Sequence, residues 1–189
     1  MNYKRHILLY IALGVAILLP YIGYGILHSW YTNKVDGIKN ARFILVDKSN
    51  MSLMLFDYRG EEIMNVPIAC GQNYGNKQEK GDRRTPEGVF RVVSIEDASN
   101  WTHDFGDGLG ETEGAYGPLF IRLGCEGHKG IGIHGTHLPE SLGTRASEGC
   151  IRLNNVDLLQ LAEYVHTGMV VVVSPSVEDV KENSLVKQS

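Results

Sequence analysis

The longest apolar run of the chain lies near its N-terminus, where residues 7–27 include no charged side chain. Such a run is long enough to cross a bilayer as a helix, and the nearby Tyr24 and Trp30 suit a membrane–water interface. A cleaved signal peptide is the alternative, but the run is long for one and no A-x-A-like site follows it. We therefore predict an uncleaved, single-pass anchor over 1–28, followed by a juxtamembrane linker over 29–40.

Beyond residue 40 the apolar positions form short runs separated by polar and glycine-containing turns, a pattern that is typical of strands. One later segment has helical spacing instead; Asn154 or Asn155 can cap it and Gly168 ends it. The tail over 176–189 is polar and is expected to fray. The predicted strands cover 41–47, 51–56, 61–69, 89–96, 118–123, 130–134 and 169–175.

Two long polar segments, 71–88 and 97–115, are rich in glycine and lack a sustained apolar pattern. We predict that both are loops. Loops of this length in a compact domain often cover a functional site. The pattern as a whole predicts one mainly β domain over 41–175 with one or two short helices.

The composition narrows the class of partner. Charged residues make up 21% of the chain and the net charge is -4, so no basic face for nucleic acid is expected. The 22 glycines suit a sheet-rich fold with many turns. The part after the apolar run is long enough for one domain with its own core, and the sequence leaves the oligomeric state open.

The segment 132–153 holds the candidate chemistry. Cys150 follows Gly149, which allows the sharp turn that exposes a nucleophile. His134 ends an apolar-flanked run and supplies the base that a thiol needs to become a thiolate. The Gly135 carbonyl can accept a hydrogen bond from the second ring nitrogen and so fix the tautomer. The backbone N–H groups of Gly149 and Cys150 can form an oxyanion hole.

A metal site is a second interpretation of the same region. Its basis is a C-x2-H-x5-H-x2-H spacing, which suits zinc, although short Cys/His clusters are weakly specific. Glycine and threonine break the part that holds the last two histidines, so those two do not lie on a regular helix. The candidate ligands are Cys125, His128, His134 and His137.

A structural role is the third interpretation, because a histidine at a strand end or a lone cysteine often serves only the fold. Polar groups at Ser147, Glu148 and Arg152 surround Cys150, however, whereas an inert cysteine normally has apolar neighbours. The other two cysteines, Cys70 and Cys125, suit small buried hydrophobic positions equally well as a disulfide, and the sequence leaves this open.

Three motifs resemble those of the L,D-transpeptidase catalytic domain, the YkuD family. They are IGIHGT at 131–136, ASEGCIRL at 146–153 and, upstream, GDRRTPEGVFRV at 81–92. The resemblance covers roughly residues 42–175. It implies a β-sandwich or barrel with the active site under a loop, peptidoglycan as substrate, and neither a cofactor nor a metal. Such enzymes cleave between the third and fourth residues of the stem peptide, release D-alanine and hold an acyl-thioester that an amine resolves.

The resemblance also assigns roles by position. It implies that Cys150 is the nucleophile and His134 the base, with the Gly135 carbonyl orienting His134 and Gly149 beside the nucleophile. It places four further residues in the substrate pocket, namely Tyr116, Thr136, Ser147 and Arg152. It implies stem peptides as partners and a catalytic domain on the extracytoplasmic side of the membrane.

One position departs from the family pattern. Most members have a histidine between the serine and glycine of the cysteine motif, whereas this chain has Glu148. A carboxylate that points at the thiol raises its pKa, whereas one that faces solvent or pairs with Arg145 or Arg152 has little effect. The alternatives to transfer are hydrolysis of the same thioester, as in an L,D-endopeptidase or carboxypeptidase, and a wall-binding module that has lost the chemistry.

Overall fold

The structure is a computed structural model that describes residues 3–39, 41–106 and 108–186. The chain divides into two units, Met1–Ala41 and Arg42–Ser189. The first unit is a single helix, α1 (Tyr3–Lys39), which continues through the segment predicted to be a linker. Each unit is described by itself below.

The described part of the chain contains no helix that is both long and apolar enough to cross a membrane. The side chains of residues 18–34 of α1, such as Leu19, Tyr24 and Trp30, are largely exposed. The side chains of residues 3–14, where much of the predicted anchor falls, lie outside the described part. The anchor is therefore not confirmed and stays a prediction.

The second unit is mainly β, as predicted, and contains two α-helices. Eight of its strands form one sheet in the order β11-β9-β8-β5-β12-β1-β2-β3, and two strand pairs, β4–β10 and β6–β7, lie outside it. The elements are β1 (Arg42–Asp47), β2 (Ser52–Asp57), β3 (Glu62–Pro67), β4 (Cys70–Gly71), β5 (Gly88–Asp97), β6 (Thr102–Asp104), β7 (Glu111–Glu113), β8 (Leu119–Leu123), β9 (Gly132–His134), β10 (Arg145–Ser147), β11 (Ile151–Arg152), α2 (Asn155–Ala162), β12 (Val170–Ser174) and α3 (Val177–Val186).

The large sheet curls so that its two ends approach each other. Strand β3 is one edge and β11 is the other. Just after β3, Ala69 exchanges backbone hydrogen bonds with Arg152 of β11, with N···O distances of 3.0 and 2.8 Å. These two hydrogen bonds join the segment after one edge strand to the other edge strand, and the curled sheet surrounds the core.

The core follows from the alternation of apolar residues along the strands. Ile44 and Val46 of β1 are fully buried, and so are Leu53 and Leu55 of β2. Successive side chains of a strand point to opposite faces, so β1 and β2 each contribute alternate residues to the interior. Helix α2 closes the core with Leu158 and Leu161, which have no exposed surface, and Asn154 caps its N-terminus by accepting from the N–H of Val156.

Two sequence predictions about loops and ends are wrong. The predicted loop over 97–115 contains the hairpin of β6 and β7, which pair from Thr102↔Glu113 to Asp104↔Glu111. The predicted frayed tail contains α3. Ser176 and Asp179 form a capping box at its start: the Asp179 N–H donates to Ser176 Oγ at 3.1 Å, and the Ser176 N–H donates to the Asp179 carboxylate at 2.8 Å.

Candidate active site

A cavity of about 850 Å³ opens beside the end of β9. Its lining includes Cys150, His134, Tyr116, Arg152 and Glu148. This volume is in the range of sites that enclose most of a small ligand. The cavity therefore brings together the cysteine and the histidine that the sequence singles out, although they come from separate strands.

The two residues share one face of two neighbouring strands. Strands β9 and β11 are parallel, with Ile133 opposite Ile151 and His134 opposite Arg152. Since side chains alternate, residues two apart on a strand point the same way, so Cys150 lies on the side of Arg152 and His134. The sheet register thus places the Cys150 thiol, the His134 imidazole and the Arg152 guanidinium on one wall of the cavity.

The His134 ring is held in a single orientation. It is 97% buried, and its Nδ1–H donates to the Gly135 carbonyl at 2.7 Å, as predicted. The ring also stacks on Phe120 with centroids 5.5 Å apart. Burial, together with the nearby Arg152 and His103, lowers the pKa of His134 to about 3. The ring is therefore neutral at physiological pH, and Nε2 is left as the proton acceptor.

The thiol of Cys150 is partly exposed in the cavity. Burial raises its pKa, while a backbone hydrogen bond from Gly132 and the positive charges of Arg152, Lys77 and Arg122 oppose that rise. Its Sγ–H donates to the Gly130 carbonyl at 3.3 Å. A raised thiol pKa beside a lowered imidazole pKa means that the pair rests as neutral thiol and neutral imidazole.

The turn that carries Cys150 is built by Ser147. The Ser147 hydroxyl donates to the Cys150 carbonyl at 2.5 Å and accepts from the Gly149 N–H at 3.1 Å. Gly149 has φ +130, and a Cβ there would lie 2.8 Å from the Arg84 carbonyl oxygen. The Gly149 N–H was predicted to face an oxyanion, but it donates to Ser147 within the turn instead. Ser147 is buried; it supports the turn and also lines the cavity.

The segment after His134 is fixed by helix α2. Asn155 Oδ1 accepts from the Thr136 N–H at 2.8 Å, and Thr136 Oγ1 accepts from the Leu138 N–H at 3.0 Å. A Cβ at position 135 would lie 2.1 Å from Asn155 Oδ1, so Gly135 is required by this close approach. Thr136 is buried and is not among the residues that line the cavity.

Arg152 faces the cavity from β11. It is 94% buried, its guanidinium lies 5.4 Å from the centre of the Phe105 ring, and its buried Nε has no hydrogen-bond partner among the described residues. A buried cation of this kind favours a ligand with a negative or strongly polar group. Tyr116 faces the same space, with its ring 4.9 Å from that of His134, and burial raises the pKa of its hydroxyl.

Three residues of the site went unnoticed in the sequence, namely His103, Phe105 and Asn155. His103 and Phe105 belong to the hairpin segment, and both line the cavity. Glu148 bonds to His103, with Oε2 and Nε2 3.0 Å apart, rather than to Arg145 or Arg152. The only sequence signal for these contacts was the length of the predicted loop, which suggested a cover.

The four candidate metal ligands do not form a cluster. No group of three or more His, Cys, Asp or Glu side chains that could hold a metal ion occurs in the described part of the chain. His137 instead lies against Phe105, with ring centroids 5.5 Å apart. Cys70 and Cys125 are free thiols; Cys70 is buried, and burial raises the pKa of Cys125 to about 11.

Comparison with known proteins identifies the family. The family model of the L,D-transpeptidase catalytic domain, YkuD, matches residues 41–173. The chain therefore belongs to the YkuD family of L,D-transpeptidase catalytic domains. It is 29% identical to YkuD of Bacillus licheniformis over 145 residues, which is 75% of this chain and 73% of that protein.

Solved structures show the same fold. An L,D-transpeptidase from Mycobacterium smegmatis superposes with a TM-score of 0.54 at 18% identity, covering 70% of this chain and 58% of that one. The L,D-transpeptidase LdtMt1, solved in complex with imipenem, gives 0.52 at 19% identity and covers 71% and 59%. The chain thus spans somewhat more than half the length of these two structures.

Proposed function

We propose that the chain is an L,D-transpeptidase that acts on peptidoglycan stem tetrapeptides through an acyl-thioester on Cys150. The observation that carries the proposal is the fixed His134 ring, whose Nδ1–H is bound to the Gly135 carbonyl in the cavity that Cys150 also lines. That arrangement leaves Nε2 as a base on the side of the thiol. Family membership supports the class of reaction.

The first half of the reaction transfers the acyl group to sulfur. Cys150 Sγ bonds to the carbonyl carbon of the third stem residue while its proton moves to His134 Nε2. The carbonyl π electrons move onto oxygen, which accepts a hydrogen bond from the Cys150 N–H. Collapse re-forms the C=O bond and breaks the C–N bond, and D-alanine leaves with the proton from Nε2.

The second half resolves the thioester. An acceptor amine attacks the thioester carbon and gives its proton to Nε2, which returns it to sulfur as the C–S bond breaks. The product is an amide, either a cross-link between stems or an attached molecule. If water takes the place of the amine, the product is a carboxylate, which defines the hydrolytic alternative.

Arg152 and Tyr116 are proposed to bind the peptide. The buried guanidinium offers donors to a substrate carboxylate or carbonyl, and the Tyr116 ring forms a wall next to the base. Ser147 supports this site through the turn that carries the nucleophile. Thr136 contributes by holding the segment after His134.

The test is to incubate the full chain with purified tetrapeptide muropeptides and to weigh the products. Transfer predicts loss of D-alanine together with dimers that form only when an amine acceptor is present. Tripeptide without dimer indicates hydrolysis and would contradict the proposal, as would an unchanged substrate. A parallel reaction with the Cys150→Ala variant is the control and is expected to give no product.

A further inference from the structure

Three polar side chains connect the hairpin segment to the loop that carries the nucleophile. The Tyr116 hydroxyl lies 3.1 Å from His103 Nδ1, and His103 Nε2 lies 3.0 Å from Glu148 Oε2. Glu148 is two residues from Cys150, and the Tyr116 ring is 4.9 Å from that of His134. The chain of contacts therefore begins beside the base and ends beside the nucleophile.

The hydrogen-bond roles in this chain follow from the chemistry of its members. An ionised carboxylate only accepts, so His103 must donate from Nε2 to Glu148. In neutral His103 the other nitrogen, Nδ1, then accepts, and the Tyr116 hydroxyl must donate to it. The hydroxyl proton is thereby engaged with His103, and the Tyr116 oxygen keeps a lone pair that can accept from a ligand.

The same histidine positions an aromatic cover. The Phe105 ring packs edge-on against His103, with centroids 4.5 Å apart. It also lies over the Arg152 guanidinium at 5.4 Å and against His137 at 5.5 Å. The position of Phe105 over the buried cation therefore depends on where His103 is held, and Glu148 holds it.

We propose that His103 and Glu148 are positioning residues: their hydrogen bond orients the Tyr116 hydroxyl as an acceptor and keeps Phe105 over Arg152. This proposal rests on the proposed function and refines its site. Neither residue touches the reacting atoms; both act through Tyr116 and Phe105. Glu148, which departs from the family pattern, thus has a hydrogen-bond donor, His103, as its partner in this chain.

A surface ion pair without a role in the site is the rival explanation. The His103 and Glu148 side chains are 28% and 44% exposed, so the bond between them contributes little to the free energy of unfolding. A merely structural pair would therefore leave both stability and reactivity nearly unchanged. A positioning pair changes the reactivity of Cys150 while the unfolding temperature stays the same.

The experiment measures two rates on the full chain for the variants His103→Ala, Glu148→Ala and the double variant. The first is the second-order rate constant for acylation by a carbapenem, followed by intact mass. The second is alkylation of Cys150 by a small neutral maleimide, followed by peptide mapping. Glu148→Gln keeps an acceptor oxygen, and Glu113→Ala removes an exposed carboxylate of the same hairpin that does not line the cavity.

We expect each single variant to slow acylation by about three- to tenfold, the scale of the net contribution of one partly exposed hydrogen bond. The double variant is expected to be no slower than the worse single variant, because both remove the same bond. Alkylation is expected to become about two- to fivefold faster as the cover loosens. Glu148→Gln is expected to recover most of the acylation rate, and Glu113→Ala to match the wild type.

Additive effects in the double variant, or wild-type rates in both single variants, would overturn the positioning role. So would a rate in Glu148→Gln as low as in Glu148→Ala. Failure of the proposed function looks different, since the wild-type chain would then fail to convert tetrapeptides. In that case the maleimide rates still decide whether the His103–Glu148 bond controls access to Cys150.

Discussion

In the proposed reaction the Cys150 thiol gives its proton to His134, a buried histidine that lines the same cavity. Burial lowers the pKa of His134 to about 3, so its neutral form, the base, persists down to about pH 4. Burial raises the pKa of Cys150, so the thiol keeps its proton over the same range. We therefore expect attack and proton transfer to take place together rather than from a preformed thiolate.

This arrangement predicts the pH dependence of acylation. Between pH 7 and pH 5 the rate of acylation by a carbapenem is expected to change by less than about threefold, since His134 stays neutral. A base with an ordinary imidazole pKa would lose more than about tenfold over that range. Stopped-flow measurement across these pH values, with reagent stability checked in parallel, separates the two outcomes.

Glycine is required at position 149 for steric reasons that do not apply to Gly143. Both Gly149 and Gly143 have positive φ, but only Gly149 would place a Cβ 2.8 Å from a backbone oxygen, whereas Gly143 has nothing within 4 Å. Gly149→Ala is expected to slow acylation at least about tenfold, because the turn that carries Cys150 must shift. Gly143→Ala is the matched control and costs only the strain of its φ, about 1 kcal/mol of unfolding free energy. Equal acylation rates in both variants would show that the turn tolerates a side chain.

At the residue scale, the sequence predicts the local part of the site and misses the distant part. The contact between His134 and the Gly135 carbonyl joins neighbouring residues, so a His-Gly pair at a strand end was enough to predict it. The contact between His103 and Glu148 joins residues that are 45 apart along the chain. Nothing in the local pattern at either position indicates the partner, since only the fold brings them together.

Helix α3 contacts the polar segment 71–88, which forms part of the cavity lining. The Asp179 carboxylate accepts from the Gly75 N–H at 2.7 Å and pairs with Arg145 at 2.7 Å and Lys48 at 3.1 Å. Glu182 of the same helix pairs with Arg84 at 2.9 Å. The helix thus anchors the polar segment 71–88, whose members Lys77, Lys80, Gly81 and Arg83 line the cavity.

Removal of the Asp179 carboxylate tests this support. Asp179→Ala is expected to lower the free energy of unfolding by about 3 kcal/mol, because Lys48 and Arg145 are left buried with fewer partners. Urea unfolding at pH 7 measures it, and Glu178→Ala, an exposed acid on the same helix, is expected to change little. A small effect at Asp179 as well would mean that its carboxylate contributes little to the stability of the fold.

The dependence of the unfolding free energy on acidic pH provides a second test with the same variant. Burial raises the pKa of Asp179, but hydrogen bonds from Ser176 and Gly75 and the charge of Lys48 outweigh it and lower the pKa to about 2. A depressed carboxyl pKa stabilises the fold above its unfolded value near 4, and that stability is lost as the pH falls toward 2. The difference between wild type and Asp179→Ala is therefore expected to shrink over that window.

At the element scale, strands with a buried alternating pattern were predicted well and polar elements were not. Strand β1 (Arg42–Asp47) lies within the predicted 41–47, because Ile44 and Val46 mark its inner face. The apolar side chains of helix α3, such as Val180 and Leu185, are exposed. The helix is held by ionic contacts and hydrogen bonds, which hydrophobic periodicity does not detect. Its capping box, Ser176 to Asp179, was the one local signal that it exists.

For the whole molecule, the proposed substrate predicts that the catalytic unit lies outside the cytoplasm. The uncharged run over 7–27 is long enough for a membrane anchor, and both the anchor and its orientation stay predictions. Protease added to intact spheroplasts is expected to digest the catalytic unit while a cytoplasmic marker protein survives. Complete protection of the catalytic unit until the cells are lysed would place it in the cytoplasm and contradict the substrate.

The central claim is that Cys150 carries the acyl group, and intact-mass spectrometry tests it most directly. After incubation with a tetrapeptide donor or a carbapenem, we expect one adduct per chain in the wild type and in the Cys70→Ala and Cys125→Ala variants, unchanged by a metal chelator. The Cys150→Ala variant is expected to show no adduct. An adduct on Cys150→Ala, or an unmodified wild type after long incubation of folded protein, would contradict the account.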